Sequence, residues 1–374
     1  MKTKRLRSTI LLFICACLLL STVRAQVFAQ SFDLQALKQE AAKRKQIFLT
    51  RAEILAGAKK EGKLKVVPGF TKEGIPDMVA AFKKKYPFIK NISWDVVTGS
   101  VATQREVMAL AAGSKQTDVL NVSTAVLDSY VDRHLMKAYD FQGMVQAGEL
   151  KIPLKMVQGV MVWTGNSISI IAYSTLVVPP EKAPKNWNDC LDPQWKGKVA
   201  VDTRGRYLAR VYPAWTAEQL LDFAKKLKNN DPKWVRGQTS TMPRLTSGEL
   251  ALFCGANLHS TNRVLVKDPS APIKIVVPDP VGMTTGDHAA IYTKAENPHA
   301  GLLWIEFTAS KEGQEVRDSF NPGDGSYLVE GTLANKLVGT TKVSVCADLE
   351  CLSKQREVGE RIIVEAWKFP KAGR

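Results

Sequence analysis

Few residues in this chain could carry out chemistry unaided. Of the four histidines, His134, His259, His288 and His299, only His259 stands beside a hydroxyl, in His259-Ser260. Side chains adjacent in sequence generally point apart, so this pair is not expected to act as base and nucleophile. His134 and His299 read as solvated residues on or beside helices. The sequence has no Gly-x-Ser-x-Gly elbow, no His-Glu-x-x-His, no phosphate loop and no dinucleotide-binding Gly-x-Gly-x-x-Gly. The expectation is a protein that binds rather than catalyses, with no cofactor and no assigned metal ligands.

The groups suited to binding are small, polar or basic, and they recur just past segments that read as strands. They are Phe70-Thr71, Gly99-Ser100, Ser123-Thr124, Arg204-Gly205-Arg206, and Asn257 to His259. Helix N-termini at such places offer free N–H groups and a partial positive charge to an anion, and arginine adds a fork that matches carboxylate or phosphate. Candidate ligand-binding residues are therefore Phe70, Thr71, Ser100, Ser123, Thr124, Arg204, Arg206, Asn257 and His259. Phe70 and Tyr207 would supply aromatic walls. Any one of these alone reads equally well as a cap or a turn. Their recurrence at corresponding strand ends is what argues for a site.

Such strand ends require an alternating frame. Residues 64–67, 92–97 and 118–122 read as strands, each followed by a helix, at 75–86, 103–112 and 126–134. This succession predicts a mostly parallel sheet flanked by helices. Two extended apolar runs, 156–164 and 167–173, read as the crossing into a second lobe. There, 199–202 and 250–254 read as strands, and 216–229 and 242–248 as helices. Residues 273–277 lead through Pro278-Asp279-Pro280 to a short strand at 289–291, then to a helix from Pro298 to Ala309 with Asn297 as its cap. The expected fold is α/β, of the two-lobe periplasmic binding type, with a ligand cleft between the lobes. Lobe 1 would hold residues 54–165 plus 275–322, and lobe 2 residues 166–274 plus 323–374.

The N-terminus bears on where the protein works. Lys2, Lys4, Arg5 and Arg7 precede an apolar stretch over 10–20 and two small-residue patterns, Val23-Arg24-Ala25 and Val27-Phe28-Ala29. This is the layout of a secretory signal peptide, so residues 1–25 are expected to be removed, or cleavage to fall after Ala29, placing the protein in the periplasm. The removed stretch carries five basic residues and no acidic one, so its loss lowers the formal charge from +16 to +11. A basic exported protein favours anionic small molecules, and no nucleic acid is expected as a partner. With 45% hydrophobic and 24% charged residues the chain has the content of a folded protein of more than one domain. Export also allows disulfides to persist. Cys346 and Cys351, in Val-Cys-Ala-Asp-Leu-Glu-Cys-Leu, are expected to bridge locally, whereas Cys190 and Cys254 read as small buried hydrophobes.

The stretch Asn186-Trp187-Asn188-Asp189-Cys190-Leu191-Asp192-Pro193-Gln194-Trp195-Lys196-Gly197-Lys198-Val199-Ala200, after Ala183-Pro184-Lys185, resembles a signature of the periplasmic solute-binding proteins of the ferric-iron-type ABC importer family. Residues 292–300 and 307–315, Glu61-Gly62-Lys63-Leu64-Lys65-Val66-Val67 and Lys85-Tyr86-Pro87 are similar to it too, so the resemblance covers about residues 54–325. It implies a binding component that delivers a small solute to an inner-membrane ABC permease; a monomer is expected. Ferric-iron members, the resemblance implies, hold the metal with an adjacent tyrosine pair in the second lobe and often a histidine after the first strand. None of the eight tyrosines here neighbours another; the stretch where the pair would stand reads Asn257-Leu258-His259-Ser260, and the first strand is followed by Gly69-Phe70-Thr71-Lys72. Ferric iron prefers anionic oxygen ligands, so the expected cargo is a small anionic solute. Ferric iron held with a synergistic anion is the alternative, and a periplasmic enzyme using the same cleft is the alternative from another class.

Overall fold

A computed structural model describes residues 33–370 apart from Thr71, Thr98, Gly99, Thr124, Ala125 and Ala347, with Ser100 described at its backbone only. The expected signal peptide lies outside the described residues. In chain order, α1 (Leu34–Lys43), α2 (Arg51–Glu61), β1 (Lys63–Val66), α3 (Ile75–Lys85), β2 (Asn91–Trp94), α4 (Ser100–Ala111), β3 (Val119–Val122), α5 (Leu127–Asp132), α6 (Phe141–Gln146), β4 (Val157–Gln158) and β5 (Met161–Trp163) form the first part. The second part has β6 (Asn166–Ser174), β7 (Val199–Asp202), α7 (Arg206–Ala209), α8 (Ala217–Asn229), β8 (Lys233–Val235), α9 (Gln238–Thr246), β9 (Leu252–Asn257), α10 (Leu258–Lys267), β10 (Ile273–Val276) and β11 (Val281–Thr285). Then follow β12 (His288–Ile291), α11 (Pro298–Ala309), α12 (Lys311–Phe320), α13 (Leu333–Val338), β13 (Val343–Ser344) and α14 (Leu349–Arg361).

Two sheets result. The first has the order β2-β1-β3-β12-β5-β4, with β1 parallel to β2 and β3 and with β12 antiparallel to β3. The second runs β13-β11-β6-β9-β7-β8, and β10 also pairs with β6. Strands β7, β8 and β9 are parallel, so their carboxyl ends at Asp202, Val235 and Asn257 open on the same side. β10 and β11 lie end to end along β6, Ile273 opposite Ser174 and Thr285 opposite Asn166, and the chain rejoins the first sheet only at β12. Pro278 and Pro280 have no N–H to donate, so the pairing along β6 is interrupted between β10 and β11.

Period-2 alternation explains why β6 is apolar on both faces. Ile168, Ile170 and Ala172 join one core, while Ile171 and Tyr173 join another. The first core runs from Ile54, Phe82 and Phe307 to Phe253 and Met283; the second holds Trp187, Val201, Leu220 and, from the C-terminal segment, Ile362 and Trp367. Helix α11 is buried from Ala300 to Ala309. Its one charged side chain, Glu306, is met by Arg51, which also donates to Tyr86 Oη at 3.2 Å, so the buried carboxylate does not stand alone. Asn297 precedes α11 without capping it, because its side chain donates to Asp118 Oδ2 at 3.0 Å. The Glu61 carboxylate takes that role, accepting from His299 N at 3.2 Å and Ala300 N at 2.7 Å. His299, expected to be solvated, places Nδ1 2.6 Å from Glu61 Oε1.

The sheets are joined by two adjacent crossings, Thr164-Gly165 and Gly286-Asp287. Thr164 N donates to Asp287 O and Gly286 N to Gly165 O, both at 2.8 Å. A Cβ on Gly286 would lie 2.9 Å from Gly165 O, so the two backbones meet only because the residue is glycine. Arg317 locks the junction from a buried position, donating to Thr164 O at 3.2 Å, to Asp324 Oδ2 at 2.8 Å and to the Asp287 carboxylate. Gln314 Nε2 donates to the same Thr164 O at 2.7 Å. Cys346 and Cys351 are bonded, while Cys190 and Cys254 are free and buried.

Candidate functional site

The carboxyl ends of β7 and β9 set out the polar groups. Val199 to Asp202 are all buried, so the chain emerges from the sheet at Asp202, whose carboxylate accepts from Arg204 N at 3.0 Å, Arg204 Nε at 2.8 Å and Arg204 Nη2 at 2.6 Å. Burial alone would raise this carboxyl; the Arg204 hydrogen bonds hold it below the usual range. Arg204, expected to grip a ligand, is thus turned back onto Asp202. Gln238 Nε2 donates to Asp202 Oδ2 at 3.2 Å, and its Oε1 accepts from Asn257 N at 2.7 Å, tying the two strand ends together.

Three guanidinium groups surround one ring. Arg204, Arg206 and Arg210 place their Cζ atoms 5.0, 5.1 and 4.5 Å from the centroid of Tyr207. Arg206 is exposed, with its Nη2 donating to Tyr207 Oη at 3.3 Å. Arg210 is only 6% exposed and donates from Nη1 to Ser169 Oγ at 3.3 Å. It has no carboxylate partner among the described residues, and burial pulls its guanidinium down to about 9. A buried charge in that condition lacks a counter-ion.

More incomplete polar groups gather where β9 passes into α10. Gly255, at φ 78, is the bulged residue of β9 opposite Ile170 and Ile171, which re-aims the strand just before Asn257. Asn257 Nδ2 donates to Ser167 Oγ at 2.6 Å, while its buried Oδ1 has no partner. His259 Nδ1 is buried and unpartnered, 3.5 Å from Asp324 Oδ1. Burial lowers its imidazole to about 4, Asp324 pulling it up and Arg263, Arg210 and Arg317 pushing it further down, so it is neutral at pH 7. One turn on, Arg263 reaches Thr239 Oγ1 at 3.1 Å with Nη2 and leaves Nε unpartnered. Thr285 Oγ1, at the end of β11, is also buried without a partner. Ser260 Oγ accepts from Arg263 Nη2 at 3.5 Å and makes no hydrogen bond to His259.

The first-sheet candidates are placed less completely. Phe70 packs against Phe320, centroids 5.6 Å apart, and lies under the Arg317 guanidinium at 5.5 Å. Arg317 bonds Asp324, which faces His259, so Phe70 and His259 are joined through two residues at the crossings. Ser123 follows β3, its carbonyl accepting from Val126 N at 3.2 Å, and Ser100 opens α4. Thr71, Thr124 and the Ser100 side chain lie outside the described residues. The sequence reading passed over Arg210, Arg263, Arg317 and Asp324. Two signals were available, the four-residue spacings Arg206 to Arg210, which stacks two guanidinium groups, and His259 to Arg263, which puts an imidazole and a guanidinium on one helical face.

Among the described residues the geometry offers cations and hydroxyls to an anion and no nucleophile held by a base. Among the described residues no three His, Cys, Asp or Glu side chains group closely enough to hold a metal ion.

A family model described as bacterial extracellular solute-binding protein matches residues 69–315. The chain is 28% identical over 163 residues, 42% of its length, to an uncharacterized protein of Haemophilus influenzae, and the match spans 45% of that relative. Among solved structures, the apo ferric ion-binding protein A of Pasteurella haemolytica superposes with a TM-score of 0.63 at 18% identity, covering 82% of this chain and 98% of that one. The periplasmic binding protein AfuA of Actinobacillus pleuropneumoniae, with exogenous fructose-6-phosphate bound, gives 0.57 at 23% identity, covering 82% and 99%. A Trichodesmium protein in complex with iron and citrate gives 0.62 at 13% identity, covering 80% and 99%. The fold is shared with these two-lobe binding proteins, and by the family match the chain belongs to the bacterial extracellular solute-binding proteins.

Proposed function

We propose that the protein is the solute-binding component of an ABC importer, which closes its two lobes on a small anionic solute in the periplasm and delivers it to an inner-membrane permease. The supporting observation is Arg210, buried and cationic without a carboxylate, with the unpartnered His259 Nδ1 and Arg263 Nε near it as further donors. An anionic oxygen placed there would satisfy several of these groups at once. Neutral His259 adds a donor or an acceptor without a charge. From the first lobe, Phe70, Thr71, Ser100, Ser123 and Thr124 would meet the solute. The working unit is a monomer that captures without turnover and uses no cofactor.

Ferric iron with a synergistic anion is the second reading, favoured by the neighbour that holds iron and citrate. A thermal-shift screen of the ligand-free chain separates the two, using inorganic phosphate, sugar phosphates, phosphonates, small carboxylates and ferric iron with and without citrate. A solute at 100 times its dissociation constant stabilises by about 2.7 kcal/mol. An organic or inorganic anion that raises the melting temperature without iron supports the proposal. A shift with iron alone overturns it.

A further inference from the structure

The segment beyond the family match builds a second compartment against the same arginine loop. Gly359 of α14 lies so close that a Cβ on Gly205 would come 2.3 Å from its carbonyl oxygen. The rings of Trp367 and Phe369 pack on Trp234 at 5.0 and 4.8 Å. Between these contacts is a cavity of about 750 Å³, within the range of small-molecule sites. Its lining is of two kinds. Trp234, Val364 and Phe369 give apolar surface, and Arg204, Arg206 and Arg236 give positive charge. Arg356 and Glu360 also line it. Arg204 is engaged by Asp202 and Arg356 by Asp128 at 3.2 Å, whereas Arg206 has only the Tyr207 hydroxyl and Arg236 no partner among the described residues. Val364 is 38% exposed, so apolar surface is left open beside those cations.

We infer that this compartment takes the apolar body of the solute whose anionic group is held by the arginines, so that the natural ligand is an organic anion carrying an aromatic or aliphatic portion. The inference rests on the anion-binding reading above. It follows from combining two requirements in one cavity: Arg206 and Arg236, neither paired to a carboxylate, favour an anion, and the exposed Val364 beside the half-buried Trp234 and Phe369 favours a hydrophobic group. A bare phosphate or a ferric ion would satisfy the first and leave the second unused.

The test titrates the ligand-free chain with two matched pairs, phenyl phosphate against inorganic phosphate and phenylacetate against acetate, by calorimetry and tryptophan fluorescence. In at least one pair the aromatic member is expected to bind ten times or more tighter and to change the fluorescence through Trp234. Val364→Asn, at a solvent-facing position, removes apolar surface without adding charge, and is expected to reduce that preference at least threefold while changing the affinity for the small anion less than twofold. Arg236→Ala is expected to weaken the aromatic anion at least threefold. Equal binding within both pairs, or a preference that survives Val364→Asn in full, overturns the inference and leaves the anion site intact. Absence of binding in both pairs overturns the inference and the anion-binding reading together.

Discussion

Arg317 and Arg210 are both buried, and only one of them is satisfied. Arg317, at the crossings, has Asp287, Asp324 and the Thr164 carbonyl around it; burial would lower its pKa, and the two carboxylates hold it above its ordinary value instead. Arg210, against Tyr207, has a serine hydroxyl and two neighbouring arginines, and burial brings it down to about 9. A buried charge with its partners supplied by the chain is architecture. A buried charge without them is a place for something the chain does not supply.

The contrast can be broken at several points. Arg317→Met should be the most damaging change, because it leaves two buried carboxylates without a cation; a loss of about 3–5 kcal/mol is expected in urea unfolding. Acid should act next. His259 and His288 are each lowered to about 4 by burial, so in the unfolded chain they take up protons near pH 6.5 that the folded chain refuses. Stability present above pH 6.5 is therefore lost as pH falls toward 4, by up to roughly 3 kcal/mol per histidine, and less for His259, which is 21% exposed. Unfolding midpoints measured from pH 7 to pH 4 check this, and His288→Gln should flatten the profile.

Arg210→Met reverses the pattern of Arg317→Met. Folding stability should be unchanged or slightly higher, since an uncompensated buried charge is removed, while anion affinity should fall by about 2 kcal/mol, roughly 30-fold. At the small end, Lys226→Ala removes an exposed pair with Asp222 at 2.7 Å and should change stability by no more than about 0.5 kcal/mol. An effect there as large as that of Arg317→Met would remove burial as the deciding variable.

Parts of this were legible in the sequence because local signals were strong. Strand β7 and helix α11 fall at the expected residues, one from a short apolar run and the other from Pro298 at its first position. Thr216 caps α8, its hydroxyl accepting from Gln219 N at 3.2 Å. β9 was displaced, expected at 250–254 and found at Leu252–Asn257, because Gly255 reads as a strand end and is a bulge. Helix α9 begins at Gln238, earlier than the expected 242, since its opening residues Gln238 to Thr241 show no apolar period. The site was harder. Arg204 was visible as an arginine past a strand, but its capture by Asp202 is a matter of geometry. Arg210 reads as an exposed helical residue until the packing around Tyr207 is known. Arg317 and Asp324 carry no local pattern, because what they hold together is separated by more than a hundred residues.

The most direct measurement is calorimetric titration of the ligand-free protein and its Arg210→Met variant with inorganic phosphate, glucose 6-phosphate and ferric citrate. The account predicts binding of at least one phosphate by the protein, roughly 30-fold weaker in the variant with folding intact. Equal affinity of the two proteins for ferric citrate, with no heat from either phosphate, would contradict it.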